Sequence, residues 1–449
     1  MQKDKKAVWG WVLYDWADST FSTTVMAGFF PIFFKQYWSH GTDVNLSTAQ
    51  LGFGNALASL LVALMAPILG AIADKGSVKK RLLFLFAYLG VLSTACLFLV
   101  NKGAWGWAIC FYIIGSVGFS GGRIFYDSLL PSVAGDENID YVSCLGYSWG
   151  YLGGGLLFLI NVVMTLKPAL FGLPDAAMAV RVAFLTVAVW WGFFTIFILR
   201  WVPESRESAA SIGILKMVAE GFGQIKDTFL KIKHLKTVFI LLLAYWFYID
   251  GVHTVIRMAV DYGMSLGFSS NDLILALLIV QFVGFPAAWA FGRIGQRTNV
   301  RKAIYIGICF YIFIIGWGVF MKGIKYEFYV LALMIGLVQG GIQSLSRSYF
   351  ARFIPKGQTA EFFGFFNMIG KFAAILGPAL MGIVGVLVKR AMTPVAPTPE
   401  IMAAVGQTAS RFSLASVLIL FILGLIFFYH VDEKKGLAEV AAFSADSDI

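Results

Sequence analysis

Residues 70–81 read Gly-Ala-Ile-Ala-Asp-Lys-Gly-Ser-Val-Lys-Lys-Arg, a short basic turn set between two apolar runs, 49–73 and 82–101. Each run reaches the length of about 20 residues that a helix needs to cross a bilayer. Gly70 permits close packing, Asp74 stands near a helix end, and the cluster Lys75, Lys79, Lys80 and Arg81 holds the turn in the cytoplasm.

Outward from this turn the same pattern repeats along the chain. Apolar runs occur at about 8–37, 49–73, 82–101, 105–130, 142–166 and 178–202, and again at 237–260, 272–292, 302–321, 327–350, 359–388 and 411–430. The chain has 449 residues, 59% hydrophobic and 13% charged. A soluble protein averages roughly 45–50% and 25%, and no soluble core could bury that excess. The fold expected is an all-α membrane protein of twelve helices. Its divisions are an N-terminal six-helix bundle over 1–202, a cytoplasmic linker over 203–236, a C-terminal bundle over 237–430 and a tail over 431–449. The linker alternates charged and apolar residues around Ile212–Phe229 and is expected to hold a surface amphipathic helix. The tail is polar and expected to fray.

The net charge of +10 would suggest nucleic acid in a soluble protein, but here the distribution of Lys and Arg matters. Counted over alternate loops, about 23 lie on the side of Lys3, Lys80, Arg297, Arg347 and Lys434, against about 9 on the side of Lys35, Arg181 and Arg390. Both termini are therefore expected in the cytoplasm, with no nucleic-acid partner. Cys96, Cys110, Cys144 and Cys309 fall within or at the ends of apolar spans and show no disulfide spacing. The first apolar stretch carries Asp15 and Asp18 and far exceeds a signal-peptide core of about 7–15 residues, so it reads as a retained helix.

The two halves resemble each other. Asp18 is followed eight residues later by Met26-Ala27, and Asp250 eight later by Met258-Ala259. Gly70 and Gly292 close corresponding second helices, and Pro131 and Pro355 follow corresponding fourth helices. Their common order favours duplication.

The turn Gly70-Ala-Ile-Ala-Asp-Lys-Gly76 with Lys80 and Arg81 resembles the signature loop of the major facilitator superfamily, which implies a gating role for it. In the second half Gly292, Arg293, Gly295, Arg297 and Arg301 keep the glycine and the basic residues, without an acid in the place of Asp74. The opening Leu13-Tyr14-Asp15-Trp16-Ala17-Asp18-Ser19, with Tyr248-Ile249-Asp250-Gly251-Val252 and Thr254-Val255-Ile256, is similar to the vacuolar-effluxer-like branch of that superfamily. That branch includes fungal autophagy-related vacuolar transporters and many bacterial relatives. The resemblance runs from Trp9 to about His430. It implies two six-helix bundles working by alternating access, placed in the inner membrane of a bacterial cell, and, from its fungal members, amino-acid efflux.

Charges inside the bilayer cost about 2.5–3.5 kcal/mol each near its centre and therefore seek a partner or a wet cavity. Asp15 and Asp18 share a helix face and lie roughly 10–15 Å inside the cytoplasmic start of the first helix. Arg123, on the fourth helix, lies at a similar depth, so an Asp15 or Asp18 contact with Arg123 is the leading ion pair. Asp127, one turn beyond Arg123, is the alternative partner, and would leave the acids free for protons or cations. Such a pair is equally able to be a structural lock. Asp250 stands roughly 20 Å deep in the seventh helix and is the best candidate for a coupling proton or ion, unless it is fixed by Lys371 or Arg257. His253 is close enough to relay a proton, although a lone histidine is more often a packing residue.

Lys371 lies near the midplane of the eleventh helix and suits an anionic group of a small-molecule substrate. Gln281, Gln339, Gln343 and Asn367 offer donors and acceptors, or serve as glue between helices. With Tyr147, Trp149, Trp246 and Tyr248 they outline an amphipathic cavity. Gly150, Gly153, Gly154, Gly155, Gly370, Gly377 and Gly382 read as close packing at the interface of the bundles, and Gly377-Pro378 as a bend.

No glycine loop for a phosphate is present, and His40, His234, His253 and His430 show no ligand spacing. Neither an enzyme, a metal centre nor a cofactor is expected. The functional expectation is a monomeric, proton- or ion-coupled transporter of a small polar or amphipathic metabolite, with amino acids favoured. The alternative is a lipid or lysolipid transporter of the same fold.

Overall fold

In a computed structural model of the chain, the described residues are 5–41, 44–76, 78–135, 137–204, 230, 232–297, 299–355, 357–373, 375–394 and 398–447. Helix α1 begins as Lys5–Thr20 and continues through wide π turns, Phe21–Phe29 and Phe34–Trp38, on either side of one α turn, Phe30–Phe33. Pro31, which has no N–H to give to the preceding turn, lies in this widened stretch. The first bundle continues with α2 (Val44–Gly76), α3 (Lys79–Cys96), α4 (Trp105–Ser128), α5 (Ile139–Leu166) and α6 (Ala176–Trp201). The second holds α7 (Lys236–Ser265), α8 (Ser270–Arg297), α9 (Val300–Phe320), α10 (Lys325–Ala351), α11 (Thr359–Phe372 and Leu376–Met392) and α12 (Pro399–Ser416 and Leu418–Tyr429). Eleven helices, α2 to α12, are long and apolar enough to cross a membrane, and the continuous α1 makes twelve. No strand occurs among the described residues.

Two compact units result: Met1–Lys231 with Ile354–Met368, and Ile232–Phe353 with Ile369–Ile449. Within the first, α1 packs along α5 and α6, α3 along α4 and α6, and α2 along α4. The same pairings recur in the second: α7 on α11 and α12, α9 on α10 and α12, α8 on α10. That recurrence is the three-dimensional counterpart of the repeat in the sequence.

Several expectations change. The tail does not fray: Glu433–Ser447 forms helix α13, because Gly436 lets it lie against Phe353 and Thr237, and Glu439 accepts a hydrogen bond from the Thr237 N–H at 2.9 Å. The eleventh helix is two segments rather than one, broken between Phe372 and Leu376 just before Gly377-Pro378. The twelfth starts well before residue 411, at Pro399. The glycines of α5 serve contacts inside one unit rather than between bundles, since a Cβ on Gly150 or Gly153 would strike Ser19 or the Trp16 carbonyl of α1. The amphipathic helix expected in the linker falls on 205–229, outside the described residues.

Candidate functional site

The glycine face of α5 brings α1 so close that Asp15 is sealed between them: a Cβ on Gly150 would stand 2.9 Å from its Oδ1, and one on Gly146 3.1 Å from its Oδ2. Asp15 and Asp18 are both fully buried. Arg123 of α4 reaches across to them. Its Nε donates to Asp18 Oδ2 at 2.9 Å and its Nη2 to Asp18 Oδ1 at 2.8 Å, a two-pronged fork of the kind that guanidinium and carboxylate form best. Nη2 also donates to Asp15 Oδ1 at 2.8 Å. Tyr126 OH donates to Asp15 Oδ2 at 2.9 Å and Ser19 Oγ to Oδ1 at 3.3 Å. Rings of Phe119, Tyr126 and Tyr147 surround the guanidinium at 5.3, 5.8 and 5.9 Å, so its cation meets aromatic faces. Two carboxylates against one guanidinium leave the cluster one negative charge in excess when all are ionised, a deficit that one proton or one cation removes. Among the described residues Nη1 of Arg123 makes no hydrogen bond.

Asp127 is not the main partner of Arg123, which turns to α1 instead; one of its oxygens accepts from Asn367 Nδ2 at 3.1 Å. Asn367 also donates to its own helix at the Phe363 carbonyl. In the signature turn, Asp74 accepts the backbone N–H of Glu361 at 2.7 Å and lies 2.7 Å from Lys79 Nζ, which donates to Thr359 Oγ1 at 2.6 Å. Asp74 thus caps the start of α11. Gly70 is the residue that permits the approach, because a Cβ there would overlap the Ala360 carbonyl. Lys80 ties its Nζ to the Val202 carbonyl at 2.7 Å, Arg81 is exposed, and the side chains of Lys75 and Gly76 lie outside the described residues.

The second unit holds a different acid. Asp250 on α7 is fully buried, and its Oδ1 accepts the backbone N–H of Gly377 at 2.9 Å and the hydroxyl of Thr254 at 3.3 Å. Gly377 stands at the start of the second segment of α11, so Asp250 caps that segment where the helix is broken. A Cβ on Gly377 would overlap Thr254 Oγ1. Among the described residues, Asp250 Oδ2 is buried with no hydrogen-bond partner, as are His253 Nδ1 and Trp246 Nε1. The expected fixed pair with Lys371 or Arg257 is replaced, at Oδ1, by this backbone cap.

Of the remaining candidates, Trp149 packs against Trp9 and Trp16 at 5.2 and 5.6 Å in the first unit. In the second, Tyr248 shares a 2.7 Å hydrogen bond with Ser346, Gln281 is buried, and Gln339, Gln343, Trp246 and Lys371 are half-buried. Sequence reasoning passed over Tyr126, Thr254, Lys79 as the partner of Asp74, and Arg347. Arg347, counted among the loop charges, is buried to 2% exposure. Its signal was present: Arg123 precedes Pro131 by eight residues, and Arg347 precedes Pro355 by eight.

Residues 3–50 and 45–388 match the family model described as vacuole effluxer Atg22 like. The chain belongs to this family. The Atg22-like chain is 35% identical to YxiO, an MFS-type transporter of Bacillus subtilis, over 97% of its own length and 96% of that relative. It is 21% identical to autophagy-related protein 22-1 of Aspergillus niger, over 85% and 84%. Its fold matches that of the proton:xylose symporter XylE with a TM-score of 0.68 at 15% identity, covering 98% and 97% of the two chains. The human organic anion transporter MFSD10 follows at 0.61 and 16%, covering 94% and 99%. This Atg22-like protein is a multi-pass membrane transporter of the major facilitator fold and not an enzyme.

Proposed function

We propose that this protein is a proton-coupled secondary transporter of a small amphipathic metabolite bearing a carboxylate, with amino acids the leading class, exported by alternating access across the bacterial inner membrane. It works as a monomer with both termini in the cytoplasm, and its two halves are the six-helix bundles 1–202 and 237–430. The observation that carries the reading is the buried cluster of Asp15, Asp18 and Arg123: one excess negative charge suits a proton, and an unused guanidinium nitrogen suits a carboxylate. Asp250 is the second proton site; the substrate-binding residues are Tyr147, Trp149 and Asn367 in the first unit and Trp246, Gln281, Gln339, Gln343 and Lys371 in the second. Asp74 with Lys79, Gly70, Lys75, Gly76, Lys80 and Arg81 forms the cytoplasmic gate. The effluxer family and a proton:xylose symporter of the same fold agree with this reading.

The test is purified protein in liposomes, with a radiolabelled amino acid and an imposed pH gradient. Gradient-dependent movement is expected; its absence across a broad panel of metabolites would overturn the reading. A lipid substrate is the second reading, favoured by an apolar groove of about 400 Å³ between α5 and α6, lined by Leu157, Leu185, Val189, Trp190 and Phe193. Movement of fluorescent lipid analogues in the same liposomes, with none of the amino acids, would select it.

A further inference from the structure

The break in α11 lies beside Asp250, a buried carboxylate of α7. The first residues of a helix present backbone N–H groups with no partner in the helix itself, and at this start Gly377 is buried, so its N–H needs a partner within the protein. Ile375, which precedes the second segment, has no side chain that can cap it. The cap comes instead from Asp250 Oδ1, through the 2.9 Å bond from Gly377 and the flanking Thr254 hydroxyl. A glycine is required at 377, because any Cβ would push into Thr254 and Asp250. Among the described residues the other carboxylate oxygen, Oδ2, is buried without a hydrogen-bond partner, and so is Nδ1 of His253 one turn along the same face of α7. Arg257 on α7 and Lys371 on α11 are charged groups that act on this pair, while α12 sets Phe421 against Gly251 and Gly424 against Tyr248.

We infer that Asp250 is a proton-operated clasp on the broken eleventh helix: the ionised carboxylate holds the N-terminus of the Leu376–Met392 segment, and proton uptake at Oδ2 loosens that hold so that the segment can re-seat. The inference rests on the reading of Asp250 as a coupling site and adds what the proton does there. A hydrogen bond to a charged acceptor is roughly twice as strong as one to a neutral acceptor, so the carboxylic acid keeps a weaker grip on Gly377. His253, with its empty ring nitrogen, stands where the proton arrives or leaves. Asp250 is a positioning residue in this account, since it acts through the backbone of α11.

Hydrogen exchange of the full-length purified chain, corrected for the intrinsic rate at each pH, reads the clasp directly. In the wild type, the amides from Gly377 onward are expected to lose protection about tenfold on going from pH 8 to pH 5. Asp250→Asn keeps a neutral acceptor, so its protection should be independent of pH and close to the wild type at pH 5. Asp250→Ala should be lower still, and if it fails to fold the asparagine variant alone decides. Equal wild-type protection at the two pH values, or a pH response that survives in Asp250→Asn, would overturn the clasp. Lost accumulation in Asp250→Asn together with pH-independent exchange in the wild type leaves Asp250 as the coupling group and overturns the clasp alone. A pH-dependent clasp with normal accumulation supports the inference and overturns the coupling reading instead.

Discussion

The first helix of each half carries a buried acid at a matched position, Asp18 in one and Asp250 in the other, and the two are neutralised in opposite ways. Asp18 shares a guanidinium fork with Arg123 and has Asp15 beside it, whereas Asp250 has a helix end in front of one oxygen and, among the described residues, no hydrogen-bond partner for the other. A fixed cation compensates a buried carboxylate strongly, and removing it leaves uncompensated charge; a helix end offers only partial charge and one or two hydrogen bonds. The first arrangement is a lock that needs its partner. The second is a hold that a single proton can weaken.

That contrast can be broken at several points. Arg123→Ala strands two buried carboxylates and is expected to cost about 3–5 kcal/mol and to abolish transport, read as a lowered melting temperature of the detergent-purified protein. Arg123→Lys restores charge without the fork and should recover only part of the loss. Gly377→Ala presses a methyl into Thr254 and Asp250 and should cost about 1–3 kcal/mol in the same assay, with faster exchange of the second α11 segment. If it melts like the wild type, the close approach at Gly377 is not what holds that segment. Asp74→Ala removes both the cap on Glu361 and the pair with Lys79, for about 1 kcal/mol, and should loosen the start of α11 without affecting its second segment. Thr254→Val deletes only the longer of the two bonds to Asp250 and should cost about 0.5–1.5 kcal/mol.

Much of this was legible in the sequence because the bilayer imposes it. Helix number follows from apolar length, and counting depth on two antiparallel helices brings Asp15 and Asp18 level with Arg123, with the choice between them and Asp127 left to the structure. What stayed hidden depends on contacts that no local pattern records. Gly377-Pro378 signalled a bend, but the cap on that bend comes from Asp250, far away in the chain. Lys79 rather than Lys80 or Arg81 reaches Asp74, a choice made by the rotation of α3. The tail reads as polar and loose until Glu439 finds the uncapped start of α7, where Leu235 has no side chain to offer. Arg347 looked like a loop charge because its place near the end of α10 hides its burial; comparison with Arg123 and the two prolines would have revealed it.

Asp250 takes up a coupling proton in the second half, where a helix end rather than a fixed cation holds it, while the Asp15–Asp18–Arg123 cluster takes up its proton in a lock that also holds the first half together. Asp250→Asn in liposomes tests it most directly, by comparing accumulation driven by a pH gradient with counterflow exchange at equal pH. Lost accumulation with surviving counterflow is the result expected. Normal accumulation in that variant would contradict the account.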